Sequence, residues 1–239
     1  QLLDTLNNPI SGIYVPPYGG MRRMRLRIDP PDTVNMGVRD TTTVRGTSRY
    51  NSGVFDNARV ITEITGFASL LVEPDTSGST LPGAAVNYAL RAINNGNVLD
   101  TVNLSSFHTS AGWTAQILDS TGGAPITRLP LTPYGGTRRF VLRVTPRDTV
   151  LAGFRDTTYV RGVSTYNAAV HDSARVVTLI NGFAGVIVDP DTLGATLPGV
   201  PVTYALRVTN NGNVSDTFNL VSSGTKPGWA AQILDTLDN

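Results

Sequence analysis

The chain has 239 residues, of which 40% are hydrophobic and 15% charged, a balance that belongs to folded domains rather than disordered chains. Its 19 Lys+Arg stand against 18 Asp+Glu, so the net charge of +1 argues against a dedicated nucleic-acid binder, and Lys226 is the sole lysine. Cysteine is absent, which rules out a disulfide scaffold, a Cys-ligated zinc site and a thiol nucleophile.

In chain order, Gln1-Leu2-Leu3-Asp4 comes first, without an initiator Met or the basic and apolar regions of a signal peptide. This start reads as that of a processed chain or a piece of a longer one. Met24, Leu26 and Ile28 alternate with Arg23, Arg25 and Arg27, the period of two that marks a strand. Asn94-Asn95-Gly96-Asn97 is turn text between two strands. Residues 120–132 read as a loop. Phe140, Leu142 and Val144 again alternate with Val141 and Arg143, and Thr157–Ser164 follows as a strand. Val202, Tyr204, Leu206 and Val208 alternate with Thr203, Ala205, Arg207 and Thr209 before the turn Asn210-Asn211-Gly212-Asn213. No stretch carries a clean helical period, no apolar run approaches the roughly 20 residues of a membrane span, and 24 Gly with 15 Pro supply frequent turns. The expected fold class is all-β: tandem sandwiches of short strands.

A repeat underlies this pattern. Pro17-Tyr18-Gly19-Gly20 recurs 116 residues later as Pro133-Tyr134-Gly135-Gly136. Residues 39–62 match 155–178 at 16 of 24 positions, and 81–120 match 197–236 at 26 of 40. Text of the form QILDT starts at Gln1, Gln116 and Gln232, so the chain reads as two periods of about 116 residues plus a short overlap.

The run Leu197-Pro198-Gly199, Val202–Asn213, Asp216-Thr217 and Gly228-Trp229 resembles the first half of a bacterial immunoglobulin-like domain of the NPCBM-associated (alpha-galactosidase-associated) family. Pro133–Gly136, the strand Arg139–Thr145, Pro146, Ala152-Gly153 and the strand Thr157–Ser164 resemble its second half. The resemblance implies immunoglobulin-like sandwiches in non-catalytic modules of secreted or surface proteins, often in arrays. This frame makes 67–181 a complete domain of seven or eight antiparallel strands. Residues 1–66 become the second half of one domain and 182–239 the first half of another. Half-sandwiches expose a core face and a sheet edge, so neighbouring copies of the repeat, met head-to-tail, are the expected partners.

Candidate chemistry is sparse. His108 and His171 align with Gly224 and Phe55, so neither belongs to a repeated site. No GxSxG, HExxH or phosphate loop occurs, and no catalytic residue is expected. Glu73, Asp75, Asp189 and Asp191 lie in Glu-Pro-Asp and Asp-Pro-Asp loops. Such oxygen-rich loops can hold calcium, although Asp and Pro also simply make turns. Trp113 and Trp229, at equivalent positions, suit core anchors, or alternatively a platform for carbohydrate. The arginines at 22, 23, 25, 27, 138, 139 and 143, with Asp residues interspersed along the chain, suit cross-strand ion pairs. Asn103-Leu104-Ser105 and Asn213-Val214-Ser215 are sequons at non-equivalent positions. The expected function is structural: a segment of an extracellular or cell-surface filament, stalk or adhesin shaft. The alternative is an accessory carbohydrate-binding or spacer module of a secreted carbohydrate-active enzyme.

Overall fold

A computed structural model describes residues 1–108, 110–224 and 226–234, with the His108 side chain outside the described residues. Among the described residues the protein is all-β, without helix. Among these residues no helix is long and apolar enough to cross a membrane. The strands are β1 (Leu2–Leu3), β2 (Arg25–Leu26), β3 (Arg39–Thr47), β4 (Phe55–Glu63), β5 (Leu70–Glu73), β6 (Thr76–Thr80), β7 (Val86–Asn94) and β8 (Asp100–His108). They continue as β9 (Thr114–Leu118), β10 (Arg128–Leu131), β11 (Gly136–Thr145), β12 (Arg155–Ser164), β13 (His171–Ile180), β14 (Val186–Asp189) and β15 (Arg207–Asn210).

Residues 70–180 contribute two sheets of five and four strands, ordered β10-β8-β12-β13-β6 and β5-β7-β11-β9. The alternation read from the sequence is what closes them. In β7, Tyr88, Leu90 and Ala92 point inward; in the adjacent β11, Phe140, Leu142 and Val144 do the same. Val160 of β12 and Ala174 and Val176 of β13 face them from the other sheet in one apolar cluster. Trp113 lies in that cluster with its ring centroid 6.1 Å from that of Phe154. Gly162 marks how tightly the sheets approach: a Cβ there would lie 2.8 Å from Val72 Cγ2 and 2.9 Å from Val102 Cγ1.

Three expectations need correction. The sandwich has nine strands rather than seven or eight, and one pairing, β6 with β13, is parallel. The segment 120–132 is only partly loop. Its end forms β10, which pairs antiparallel with β8 and buries Leu129 and Leu131. Pro130 is tolerated there because β10 is an edge strand, with no neighbour on its outer side to need an N–H. Before β10, the Asp119 carboxylate accepts hydrogen bonds from the Thr121 hydroxyl and from the N–H groups of Thr121, Gly123 and Ala124, which shapes the turn.

The turn Pro133–Gly136 needs its own residues. Tyr134 and Gly135 have φ of 56° and 88°, in the left-handed region, and Tyr18 and Gly19 repeat the same angles. A Cβ on Gly136 would collide with the Thr132 carbonyl, as one on Gly20 would with that of Pro16.

Outside 70–180 the strands pair only locally: β1 with β2, β3 with β4 and β14 with β15. The strand expected from Met24 to Ile28 is reduced to Arg25–Leu26, and that expected from Val202 to Val208 to Arg207–Asn210. The β3–β4 hairpin holds the same register as β12–β13: Arg39 faces Glu63, as Arg155 faces Leu179. It lacks any opposing sheet.

Candidate functional site

Two features combine into the candidate site: a pair of side-chain clamps where the segments meet, and the open faces beyond them. At the first clamp, buried Asn97 sits in the β7–β8 loop. Its Oδ1 accepts from Phe67 N–H at 2.8 Å, and its Nδ2 donates to the carbonyls of Thr65 at 2.9 Å and Val34 at 3.4 Å. Its own carbonyl accepts from Met36 N–H at 3.1 Å. The Tyr134 hydroxyl also donates to the Val34 carbonyl, and the Tyr166 hydroxyl meets the Met36 sulfur at 3.4 Å. Gly66 passes between Met36, Tyr166 and Val98 with no room for a Cβ.

The second clamp is built the same way. Asn213 accepts from Phe183 N–H at 2.7 Å and donates to the carbonyls of Asn181 at 2.9 Å and Val150 at 3.3 Å. Ala152 N–H donates to the Asn213 carbonyl at 3.0 Å. With its amide so committed and buried, Asn213 is unfit to carry a glycan, whereas the Asn103 sequon residue is exposed on β8.

The two clamps lie at opposite ends of the sandwich. The first uses the loop after β7 and the turns that follow β10 and β12. The second uses the β11–β12 loop and the end of β13, beside the loop before β7, where a Cβ on Gly83 would strike Asp148. The nine-residue β7 spans the distance between them, about 30 Å at the usual rise per residue.

Beyond each clamp the same residue types stand open. Leu90 is 2% exposed but Leu206, 116 positions on, is 55% exposed. Val176 is 0% exposed and Val60 39%; Trp113 is 6% exposed and Trp229 74%. Together these residues form an apolar face left open among the described residues.

Of the four carboxylates singled out from the sequence, Glu73, Asp75 and Asp189 have partners, and Asp191 is exposed in the loop after β14. Glu73 meets Arg91 directly across β5–β7 at 2.5 Å, and Asp189 meets Arg207 across β14–β15 at 2.5 Å. The Asp189 carboxylate raises the Arg207 pKa. Asp75 Oδ1 accepts from Arg175 N–H at 2.7 Å, tying β13 to the loop before β6. Among the described residues no three His, Cys, Asp or Glu come together as a metal site. With guanidinium groups on Glu73 and Asp189, the donor set does not fit calcium, which needs six to eight oxygens. Cross-strand pairs among the described residues include Arg39–Glu63, Arg91–Glu73 and Arg207–Asp189. Of the arginine stripe, Arg25 bonds Asn7, Arg27 pairs with Asp29 and Arg143 bonds Asn87. His171 is exposed at the start of β13.

Sequence reasoning passed over two features. Asn97 and Asn213 read as turn residues; the available signal was a second asparagine after the Asn-Gly pair, in both copies. The other is an aromatic pair: exposed Phe107 and half-buried Tyr159 stack on the outer face of β8–β12, with centroids 5.2 Å apart and planes at 17°. Their counterparts are Ser223 and Thr43, so this platform belongs to the central sandwich alone.

No family model and no curated protein matches this chain. Similar solved structures are found. The ASH/PapD-like domain of human CEP192 (PapD-like domain 7) is 12% identical with a TM-score of 0.34, covering 47% of this chain and 84% of that one. Domains 4 and 5 of the S-layer protein SbsC are 13% identical with a TM-score of 0.29, covering 54% of this chain and 61% of that one. A chain of the chaperone–tip adhesin complex of CFA/I fimbriae is 10% identical with a TM-score of 0.29, covering 62% and 71% respectively.

Proposed function

We propose that this chain is a non-catalytic structural segment of an extracellular filament, stalk or adhesin shaft, built as a string of equivalent β-sandwich domains. In this reading 67–181 is one complete domain, and 1–66 and 182–239 are halves of its neighbours. The observation that carries it is the contrast between copies: the text that forms a closed core at Leu90, Val176 and Trp113 stands open at Leu206, Val60 and Trp229. Completion by complementary repeat text, whether covalently continuous or from another chain, buries those faces at roughly 25 cal/mol per Å². The matching clamps at Asn97 and Asn213 then set each domain on the next in one geometry. Such an array is stabilised by contacts between nearest neighbours. Small-angle scattering and sedimentation across a concentration series test the reading. Rods that lengthen with concentration support it. A compact monomer at all concentrations, with Leu206 and Val60 inaccessible, overturns it.

The Phe107–Tyr159 stack, with Phe107 exposed, favours one alternative, an accessory carbohydrate-binding module, because flat aromatic faces suit sugar rings. Titration with oligosaccharides, with and without Phe107→Ala, separates the two. Saturable binding lost in the variant would favour the module.

A further inference from the structure

The central sandwich is a template for how its flanking halves pair, and we infer from it that residues 182–239 of one chain dock onto residues 1–66 of a second copy in a defined register. The inference rests on the string reading above and adds the partner and the residue pairs.

The register is transferred directly. In the closed sandwich β11 runs antiparallel to β7, with Leu142 facing Tyr88, Arg143 facing Asn87 and Val144 facing Val86. The counterparts are Leu26 facing Tyr204, Arg27 facing Thr203 and Ile28 facing Val202. The side of β2 that would receive this strand is free, because β1 pairs along its other side, as β9 does along β11.

Core volumes support the match. Phe140 faces Leu90, with Ala92 diagonal to it. In the halves Met24 stands for Phe140 and Val208 for Ala92. A loss of bulk in one half is thus met by a gain in the other, which matters only where the two halves share a core.

Polar groups match as well. Asp100, buried, accepts from Ser164 Oγ at 2.5 Å and from the N–H groups of Thr165 and Tyr166 at 3.1 Å each. Its counterpart Asp216 accepts from Thr217 N–H at 2.7 Å among the described residues of its own half, and Ser48, Arg49 and Tyr50 carry the complementary groups in the other half. Tyr88 meets Thr178 Oγ1 at 2.8 Å; Tyr204 and Thr62 are the corresponding pair.

The occupant is a second copy rather than the chain's own other end, because the halves sit at opposite ends of the sandwich, about 30 Å apart along β7. A contact between unlike surfaces at opposite ends is head-to-tail, and it extends as a string wherever the rotation per unit does not close a ring.

The absence of cysteine makes the test clean. Arg27→Cys and Thr203→Cys are prepared as separate single variants; both sites are exposed. Directly opposed residues of an antiparallel pair have Cα atoms about 4.5–5.5 Å apart, within disulfide reach. The double variant Asn87→Cys/Arg143→Cys, opposed within the closed sandwich, is the internal standard. Mixing the two single variants under mild oxidation should give a disulfide-linked species of twice the 25.4 kDa chain mass, which neither variant gives alone. Asp216→Ala should weaken association at least tenfold. Thr209→Cys, six residues from Thr203 and about 20 Å along the strand, should give little product with Arg27→Cys. Association with equal cross-linking at 203 and 209, or with none at 203, overturns the register while leaving the string reading intact. A chain that sediments as a monomer at every concentration and gives no cross-link overturns both. An internal bridge in the double variant Arg27→Cys/Thr203→Cys, with no linkage between chains, overturns the second copy as the partner.

Discussion

Asn97→Ala tests whether one side chain sets the joint between consecutive segments. The substitution removes an acceptor for Phe67 N–H at 2.8 Å and donors to the Thr65 and Val34 carbonyls at 2.9 and 3.4 Å. A net hydrogen bond contributes about 1 kcal/mol, and a buried polar group left without a partner costs about 1–3 kcal/mol. Phe67 is half-exposed, so water recovers part of the loss, and about 2 kcal/mol of joint stability is the expected change. At 1.4 kcal/mol per tenfold, that is roughly a 30-fold rise in opening. Amide hydrogen exchange reads it: Phe67 and Met36 should exchange about 30-fold faster, while Val160 in the sandwich core is unchanged. Asn97→Asp keeps the acceptor but replaces both donors with an anion facing two carbonyls. It should protect Phe67 N–H while releasing the 34–36 loop. Phe67 exchange within about threefold of the parent protein in Asn97→Ala would refute the clamp. Equal acceleration at Val160 would show that Asn97 supports the whole fold instead of the joint.

Other outcomes follow from the contrast between copies. Leu90→Ala should destabilise the sandwich by about 2–5 kcal/mol in denaturant melts. Leu206→Ala should cost under about 0.5 kcal/mol at dilutions where the chain is monomeric, and more as strings form; equal costs when dilute would contradict the open face. Gly162→Ala forces a methyl between Val72 and Val102 and should cost about 1–3 kcal/mol, whereas Gly46→Ala, with nothing within 4 Å, should be near neutral or stabilising by thermal melt. The Thr121 hydroxyl and the Gly123 and Ala124 N–H groups lower the Asp119 pKa from 3.8 to about 2. A depressed folded-state pKa stabilises above the unfolded value, so the 119–124 turn should hold at pH 4 and above and loosen as pH falls toward 2. An NMR titration of the Asp119 carboxyl with a midpoint near 3.8 would contradict the capped turn.

Alternation became a full strand where a facing sheet is present, as at Gly136–Thr145, whereas the equally long alternation from Val202 to Thr209 is strand only from Arg207 onward. The inward row Phe140, Leu142 and Val144 was legible because each apolar residue is separated by a more exposed one. Alternation alone does not separate a closed copy from an open one; the frame that makes 67–181 complete rests on the phase of the repeat. Leu90 and Leu206 stand in nearly the same text and differ in burial because a facing sheet is present for one and absent for the other, a property of distant residues. The strand β10 was missed for a local reason: Leu129 and Leu131 give only two inward positions, and Pro130 between them argues against a strand anywhere but an edge. The clamps were missed because asparagine after Asn-Gly is ordinary turn chemistry; its reach to Phe67, 30 residues away, depends on the fold.

The parallel pairing of β6 with β13 has a mechanical consequence. The chain enters the sandwich at the first clamp and leaves at the second, and both strands run in that direction. Tension applied at Phe67 and Asn181 therefore pulls β6 and β13 lengthwise in opposite senses. Five residue pairs, from Thr76↔Val176 to Thr80↔Ile180, are then sheared together instead of unzipping one by one. Asn181 N–H, bonded to the Thr80 carbonyl at 2.8 Å, extends that patch to its last residue. A unit strung this way resists stretching far better than one whose end strands peel from a corner, and its rupture force would rise with the length of that shared patch.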